Sequence, residues 1–215
     1  MKYFNKAFLA ISIFLIMTSN CLAQAAPEKA IKLSEFKEVL KTDEPDEIVV
    51  AFNRVKRNQR SWELISFTMS LWLKDKKKYP ELNWTLIDSP LIRLETADTL
   101  LQANYNGFIK INKEEFHAYA RKLILEQDQV VKSKAISAIG ILKNKNDIEL
   151  LRTVALEENP VTFTSTIIAL SSYCGGETEV AIKDIHARIK LLENKKRMLE
   201  IISSMKDFRP FCRKN

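Results

Sequence analysis

The chain has 215 residues, 46% of them hydrophobic, and 34 basic side chains against 27 acidic ones give a net charge of +7. That hydrophobic fraction supports a packed core and excludes a disordered chain. The charge balance is too mixed for a dedicated nucleic-acid binder; it favours acidic partners or an anionic envelope surface without demanding either.

The first 25 residues differ in kind from the rest. Lys2 and Lys6 give a positive start, an uncharged apolar run covers residues 7–17, and Ala23-Gln24-Ala25 is a small-x-small cleavage pattern. Together these predict a secretory signal peptide cleaved after Ala25. The apolar run is too short for a bilayer, which needs about 20 residues. Thr18-Ser19-Asn20 before Cys21 lacks the small residue that precedes a lipid-modified cysteine. Residues 26–215 then form one domain in the periplasm or outside the cell, with no transmembrane segment. Losing Lys2 and Lys6 leaves 32 basic and 27 acidic side chains, a net charge of +5.

Residues 33–40 read as a short helix, and Pro45 with Asp46 and Glu47 opens another over 46–57 that buries Ile48, Val49, Phe52 and Val55. Ser61 is the expected N-cap of a helix over 62–74 with so little polar face that it should sit centrally. The lysine cluster at 74–78 suits a helix C-terminus. Residues 81–87 read as a connection or short helical turn, with Trp84 as a contact residue or a buried plug.

Ser89-Pro90 opens a helix to about 103. Asn112 to Glu115 and Asn146 to Glu149 have the form of capping boxes, starting helices to about 126 and 157. Between them 129–142 is a short amphipathic helix, its stripe formed by Val131, Ala135, Ala138, Ile139 and Leu142, with Lys132 and Lys134 on the opposite side. Small residues at Ala135, Ala138 and Gly140 allow a second helix to approach closely. Asn159-Pro160 opens a helix to about 173, Thr178 caps one to about 193, and 195–205 is the last. No segment alternates as a strand would, and there are only four glycines and six prolines. An all-α protein is expected.

Superposing helix starts places 92–100 over 131–139 at an offset of 39, and 162–170 over the same frame at 31. Offsets of about 30–45 residues are the period of helical-hairpin arrays. Val131-Lys132, Ala135, Ala138-Ile139 and Gly140 resemble the HEAT-like repeat family, whose short bacterial form carries Val-Arg-x-x-Ala-x-x-Ala-Leu-Gly. Ile92-Arg93 with Leu100 and Ala169-Leu170 match it in part. The resemblance covers 89–193; 26–88 would be diverged N-terminal helices, and 194–215 a C-terminal helix and tail. It implies an α-α superhelix, a solenoid of stacked hairpins that binds proteins along one face.

Cys174 and Cys212 survive leader removal, and in an exported protein such a pair is expected to be bridged. His117 shares a helix face with Glu114, as in metal-binding Glu-x-x-His, but no second such pair occurs. There is no G-x-S-x-G, no phosphate loop and no C-x-x-C. The expected protein is therefore a monomeric, non-enzymatic binding or adaptor protein without a cofactor, with another protein as partner. Lys132, Lys134 and Trp84 are its candidate contact residues. A periplasmic immunity protein, or a cell-wall hydrolase or its activator, are the alternative readings.

Overall fold

The computed structural model describes residues 30–206, apart from Gln127 and Cys174. The expected leader and the Cys174–Cys212 pair lie outside the described residues. Within them the protein is all-α, with eleven α-helices and no strand.

The helices begin where the chain supplies caps. α1 (Leu33–Val39) precedes α2 (Pro45–Arg57), which starts on Pro45, Asp46 and Glu47 and ends on Arg54, Lys56 and Arg57, so charge complements the dipole at both ends. Ser61 accepts the Leu64 N–H at the start of α3 (Trp62–Trp72), and Asn83 accepts the Leu86 N–H at the start of α4 (Trp84–Ile87). α5 (Pro90–Tyr105) follows the Ser89-Pro90 start. Asn112 caps α6 (Lys113–Leu123), and Asp128 accepts two N–H groups at the start of α7 (Gln129–Leu142). A 3-10 turn at Lys145–Asp147 leads into α8 (Ile148–Leu156). α9 (Phe163–Ser172), α10 (Gly176–Arg188) and α11 (Leu192–Lys206) complete the set.

Several helix starts differ from expectation, and local bonding explains each. Asn144, not Asn146, caps the turn before α8, because the chain enters through a 3-10 turn; Glu149 is held instead by Arg152. Asn112 works as a cap, but Glu115 accepts the Trp72 indole N–H at 3.2 Å in place of its half of the box. Asn159 accepts the Val161 and Thr162 N–H groups, so a turn intervenes before α9. α10 begins at Gly176 after Gly175, whose φ of 124° is open only to glycine at low cost, and Thr178 is buried inside its first turn.

α5, α7, α9 and α11 pack on one another in that order, and α8 packs on α10. α6 packs against α7, while α8 and α10 pack against α9; α2 and α3 lie on α5. Small residues set the spacing of the series. A Cβ added at Gly140 would stand 2.9 Å from both Cα and Cβ of Ala169, so α7 and α9 approach more closely than any side chain at 140 allows. The Ser172 hydroxyl donates to the Gly140 carbonyl at 2.8 Å, a bond that needs the same close approach.

Two buried clusters form the core. One gathers α1 to α5 around Phe36, which meets Phe52 and Phe67 edge-on at 5.1 and 5.7 Å. The other is built on Ile136, Ile139, Leu151, Phe163, Ile167 and Leu170, all fully buried. Tyr119 packs against both. α3 contributes Leu64, Ile65, Phe67, Leu71 and Trp72 to the first cluster, although Trp62 at its start remains 67% exposed. Arg93 of α5 is buried in this region, stacked 4.2 Å over Trp72 and donating to the Leu71 and Trp72 carbonyls. Those carbonyls lie at the end of α3, where that of Leu71 also accepts the Lys74 N–H at 3.1 Å.

Candidate functional site

α5 carries Glu95, Asp98 and Gln102 at i, i+3 and i+7 and is capped by Asn106 at i+11, a polar stripe along a helix that is otherwise nearly buried. That spacing lines the four up on one face. The face meets α2 and α7, and a continuous chain of polar contacts forms along it. The Glu95 carboxylate pairs with Lys134 of α7 through one oxygen and with Lys56 of α2, at 2.6 Å, through the other. The Lys56 ammonium also reaches Asp98 at 2.6 Å. Gln102 donates to Asp98 at 3.3 Å, Gln59 donates to Gln102 at 3.1 Å, and Asn106 donates to Gln59 at 2.5 Å.

Burial makes the charged end of this seam consequential. The Glu95 side chain is 1% exposed and that of Lys56 is 12% exposed. Desolvation alone would push the Glu95 carboxyl up, but the Lys56 and Lys134 ammonium groups outweigh it and hold the carboxyl below its ordinary range. For Lys56 desolvation pulls downward, and the Asp98 and Glu95 carboxylates overcome it, so the ammonium is held more firmly than in water. Both groups therefore stay charged in place, tying three helices together.

At the C-terminal ends of α2 and α5 the seam opens into a cleft of about 410 Å3. Lys56, Arg57, Asn58, Gln59, Arg60, Gln102, Asn106 and Phe108 line it: three cations, four amides and one aromatic ring, with no acid among them. Phe108 is 43% exposed, and Tyr105, next to Asn106, is 85% exposed.

The residues singled out from the sequence fall differently. Lys134 belongs to the seam, as the partner of Glu95. Lys132, expected opposite the apolar stripe, is instead buried at 7% exposure, and its ammonium reaches Glu157 at 2.7 Å. Trp84 is half-buried; its indole N–H donates to the Tyr79 carbonyl at 2.7 Å, and Lys76 lies 5.6 Å over the ring. The three do not converge.

His117 bonds Asp147 at 2.6 Å rather than joining Glu114 in a ligand set, and Arg121 stands 3.3 Å from the other Asp147 oxygen. Asp147 is fully buried, so the three tie α6 to the turn before α8. Among the described residues no group of three or more His, Cys, Asp and Glu side chains is placed to hold a metal ion. A further groove of about 580 Å3 lies between α8 and α10, over Ile148, Val180 and Ala181, and Arg152 bridges it from Glu149 to Asp184.

Sequence reasoning missed Glu95, Lys56, Gln59, Gln102 and Asn106. The polar stripe of α5 was there to be read as a signal, since four polar residues on one face of an apolar helix require a polar partner. No protein-family model, curated protein or solved structure matches the chain.

Proposed function

We propose that this chain is an exported, monomeric α-solenoid of HEAT-like helical hairpins that acts as a binding or adaptor protein for another protein. The observation that carries this reading is the regular sequence separation of the bonds between successive packed helices. Ser133 meets Ser165 and Arg152 meets Asp184 at 32 residues, Ser172 meets Gly140 at 32, and Arg197 meets Thr164 at 33. Towards the N-terminus the separation lengthens to 39 for Glu95 and Lys134 and 43 for Trp72 and Glu115. Such spacings belong to stacked hairpins that each bury an apolar stripe against a neighbour. Stacking leaves the outward side chains free to vary, and such arrays present extended surfaces to other proteins.

The same register supports a bridge between Cys174 and Cys212. The Glu158 carboxylate, in the turn before α9, accepts the Lys190 and Leu191 N–H groups just before α11, and Arg197 in the second turn of α11 reaches Thr164 at the start of α9. α9 and α11 therefore run in parallel, and a separation of 33 brings the end of α11 level with Tyr173. Closing the loop from Cys174 to Cys212 would restrict the unfolded chain by roughly 4 kcal/mol.

The test is affinity capture from an extract of exported proteins, using the chain from residue 26 onwards as bait. A protein retained by the bait, and bound by it again when purified, is expected. Retention of no protein at any salt concentration contradicts the reading. A zymogram on purified peptidoglycan separates the enzymatic alternative, for which clearing would be the positive result.

A further inference from the structure

The positive charge of the chain is not spread evenly along it. Residues 26–188 carry 24 basic and 24 acidic side chains, whereas residues 189–215, which are α11 and the segments on either side of it, carry eight basic and three acidic ones. We propose that α11 and the turn beside its start form a peripheral membrane-binding surface, selective for bilayers that contain anionic lipids. α11 turns Asn194, Met198 and Ile201 inward, with Ile202 and Met205 packed against the same cluster. Positions 192, 196, 199 and 203 line up on the opposite face. There Leu192 and Leu199 are 79% and 55% exposed, and Lys196 and Ser203 are exposed with them. Lys195 is half-buried on the flank of that face.

The aliphatic surface continues past the helix start. Glu158 accepts the Lys190 and Leu191 N–H groups and the Asn194 amide, which draws the turn before α9 against the start of α11. Val161 in that turn and Leu191 are both exposed. Those bonds occupy the Glu158 carboxylate, and Glu193 pairs with Arg197 at 3.5 Å. Among the described residues no acid pairs with Lys195 or Lys196. The residue types say what the surface meets. Protein interfaces are enriched in aromatic residues and Arg and depleted in Lys, and single-stranded nucleic acid stacks on aromatic rings. Here the described apolar groups are aliphatic, and lysines stand among them. Leucines that enter the headgroup boundary, with lysines at the level of the phosphates, make the composition of helices that lie on anionic membranes. α11 stays packed through its inner face, so the contact is shallow; no helix among the described residues is long and apolar enough to cross a membrane. A protein partner elsewhere on the array is compatible with this surface and is not required by it.

The experiment is co-sedimentation of the full chain from residue 26 with vesicles of equimolar phosphatidylglycerol and phosphatidylcholine, against vesicles of phosphatidylcholine alone. Binding is expected to the first and not to the second, and to weaken as salt is raised. The double variant Lys195→Glu/Lys196→Glu should lower the affinity about tenfold or more. Leu192→Ser/Leu199→Ser should lower it as well, which attraction between charges alone would not do. Lys145→Glu, in the α8–α10 groove, should leave it unchanged. The leucines are exposed, so circular dichroism should show their variant folded. Equal binding to both vesicles, binding to neither, or an affinity indifferent to either double variant would overturn the proposal. Displacement from the vesicles by hexaglutamate or by a thymidine oligonucleotide at equal charge concentration would overturn it in favour of an acidic protein or a nucleic acid. None of these outcomes bears on whether the chain captures a protein, so the adaptor reading stands or falls separately.

Discussion

Glu95 and Lys134 stand 39 residues apart and meet as an ion pair between α5 and α7. That separation equals the offset at which 92–100 superposes on 131–139, so the two residues occupy the same place in successive segments and touch because those segments are neighbours. Glu95 also holds Lys56, so one buried carboxylate serves two ammonium groups from two other helices. Replacing it by Ala leaves two ammonium groups short of a partner; Asp98 still holds Lys56. Denaturant unfolding should show a loss of about 3 kcal/mol for Glu95→Ala, the lower end of the cost of breaking a buried pair. Lys134→Ala, at a side chain 43% exposed, should cost less than about 1 kcal/mol.

The seam also gives stability a pH dependence. The folded Glu95 carboxyl ionises more readily than the ordinary 4.5 of the unfolded chain. Its contribution is therefore complete above that value and is lost as pH falls through the lower folded value. Lys56 behaves oppositely: held above 10.5, it contributes fully below 10.5 and loses its contribution as pH rises through the folded value. Unfolding midpoints measured from pH 6 downward should drop below about pH 4.5, and Glu95→Gln should flatten the acid limb of the curve and also weaken the alkaline one, because Lys56 then keeps only the Asp98 carboxylate.

Gly140 tests the packing of α7 on α9. A methyl group there meets backbone and Cβ of Ala169 at 2.9 Å, atoms that cannot rotate away. Gly140→Ala should destabilise by about 1–3 kcal/mol despite its better helix propensity. Gly176→Ala, with nothing within 4 Å and a helical position, should instead stabilise by about 0.4–1 kcal/mol. Thermal unfolding of the two variants side by side checks the contrast.

Much of the helical layout was legible because period and caps act locally. The boundaries of α7 matched the expected 129–142, since Asp128 supplies the cap and Val131, Ala135, Ala138 and Ile139 supply a stripe. Ser61 and Asn112 were legible as caps for the same reason. Asn146 was not, because a 3-10 turn shifted the helix start, and such a turn depends on how the chain arrives from α7. The site was hardly legible at all. Lys132 and Lys134 are two residues apart on one helix, yet one lies against the core and pairs with Glu157 while the other reaches Glu95, and which acid stands opposite is decided by tertiary packing. Gln59 lies outside every helix, and its worth arises only when Gln102 and Asn106 arrive beside it.

The cysteine pair is open to direct measurement. Alkylation of the unfolded, unreduced exported protein followed by mass spectrometry should leave Cys174 and Cys212 unlabelled, with a linked peptide that separates on reduction. Labelling of both without reduction would refute the bridge.

The central claim is that this protein works by binding another protein on its series of packed helices. Hydrogen–deuterium exchange on the protein alone and saturated with its captured partner tests it most directly. The account predicts slowed exchange in peptides of two or more successive helices. No protection in a complex shown to be saturated would contradict it.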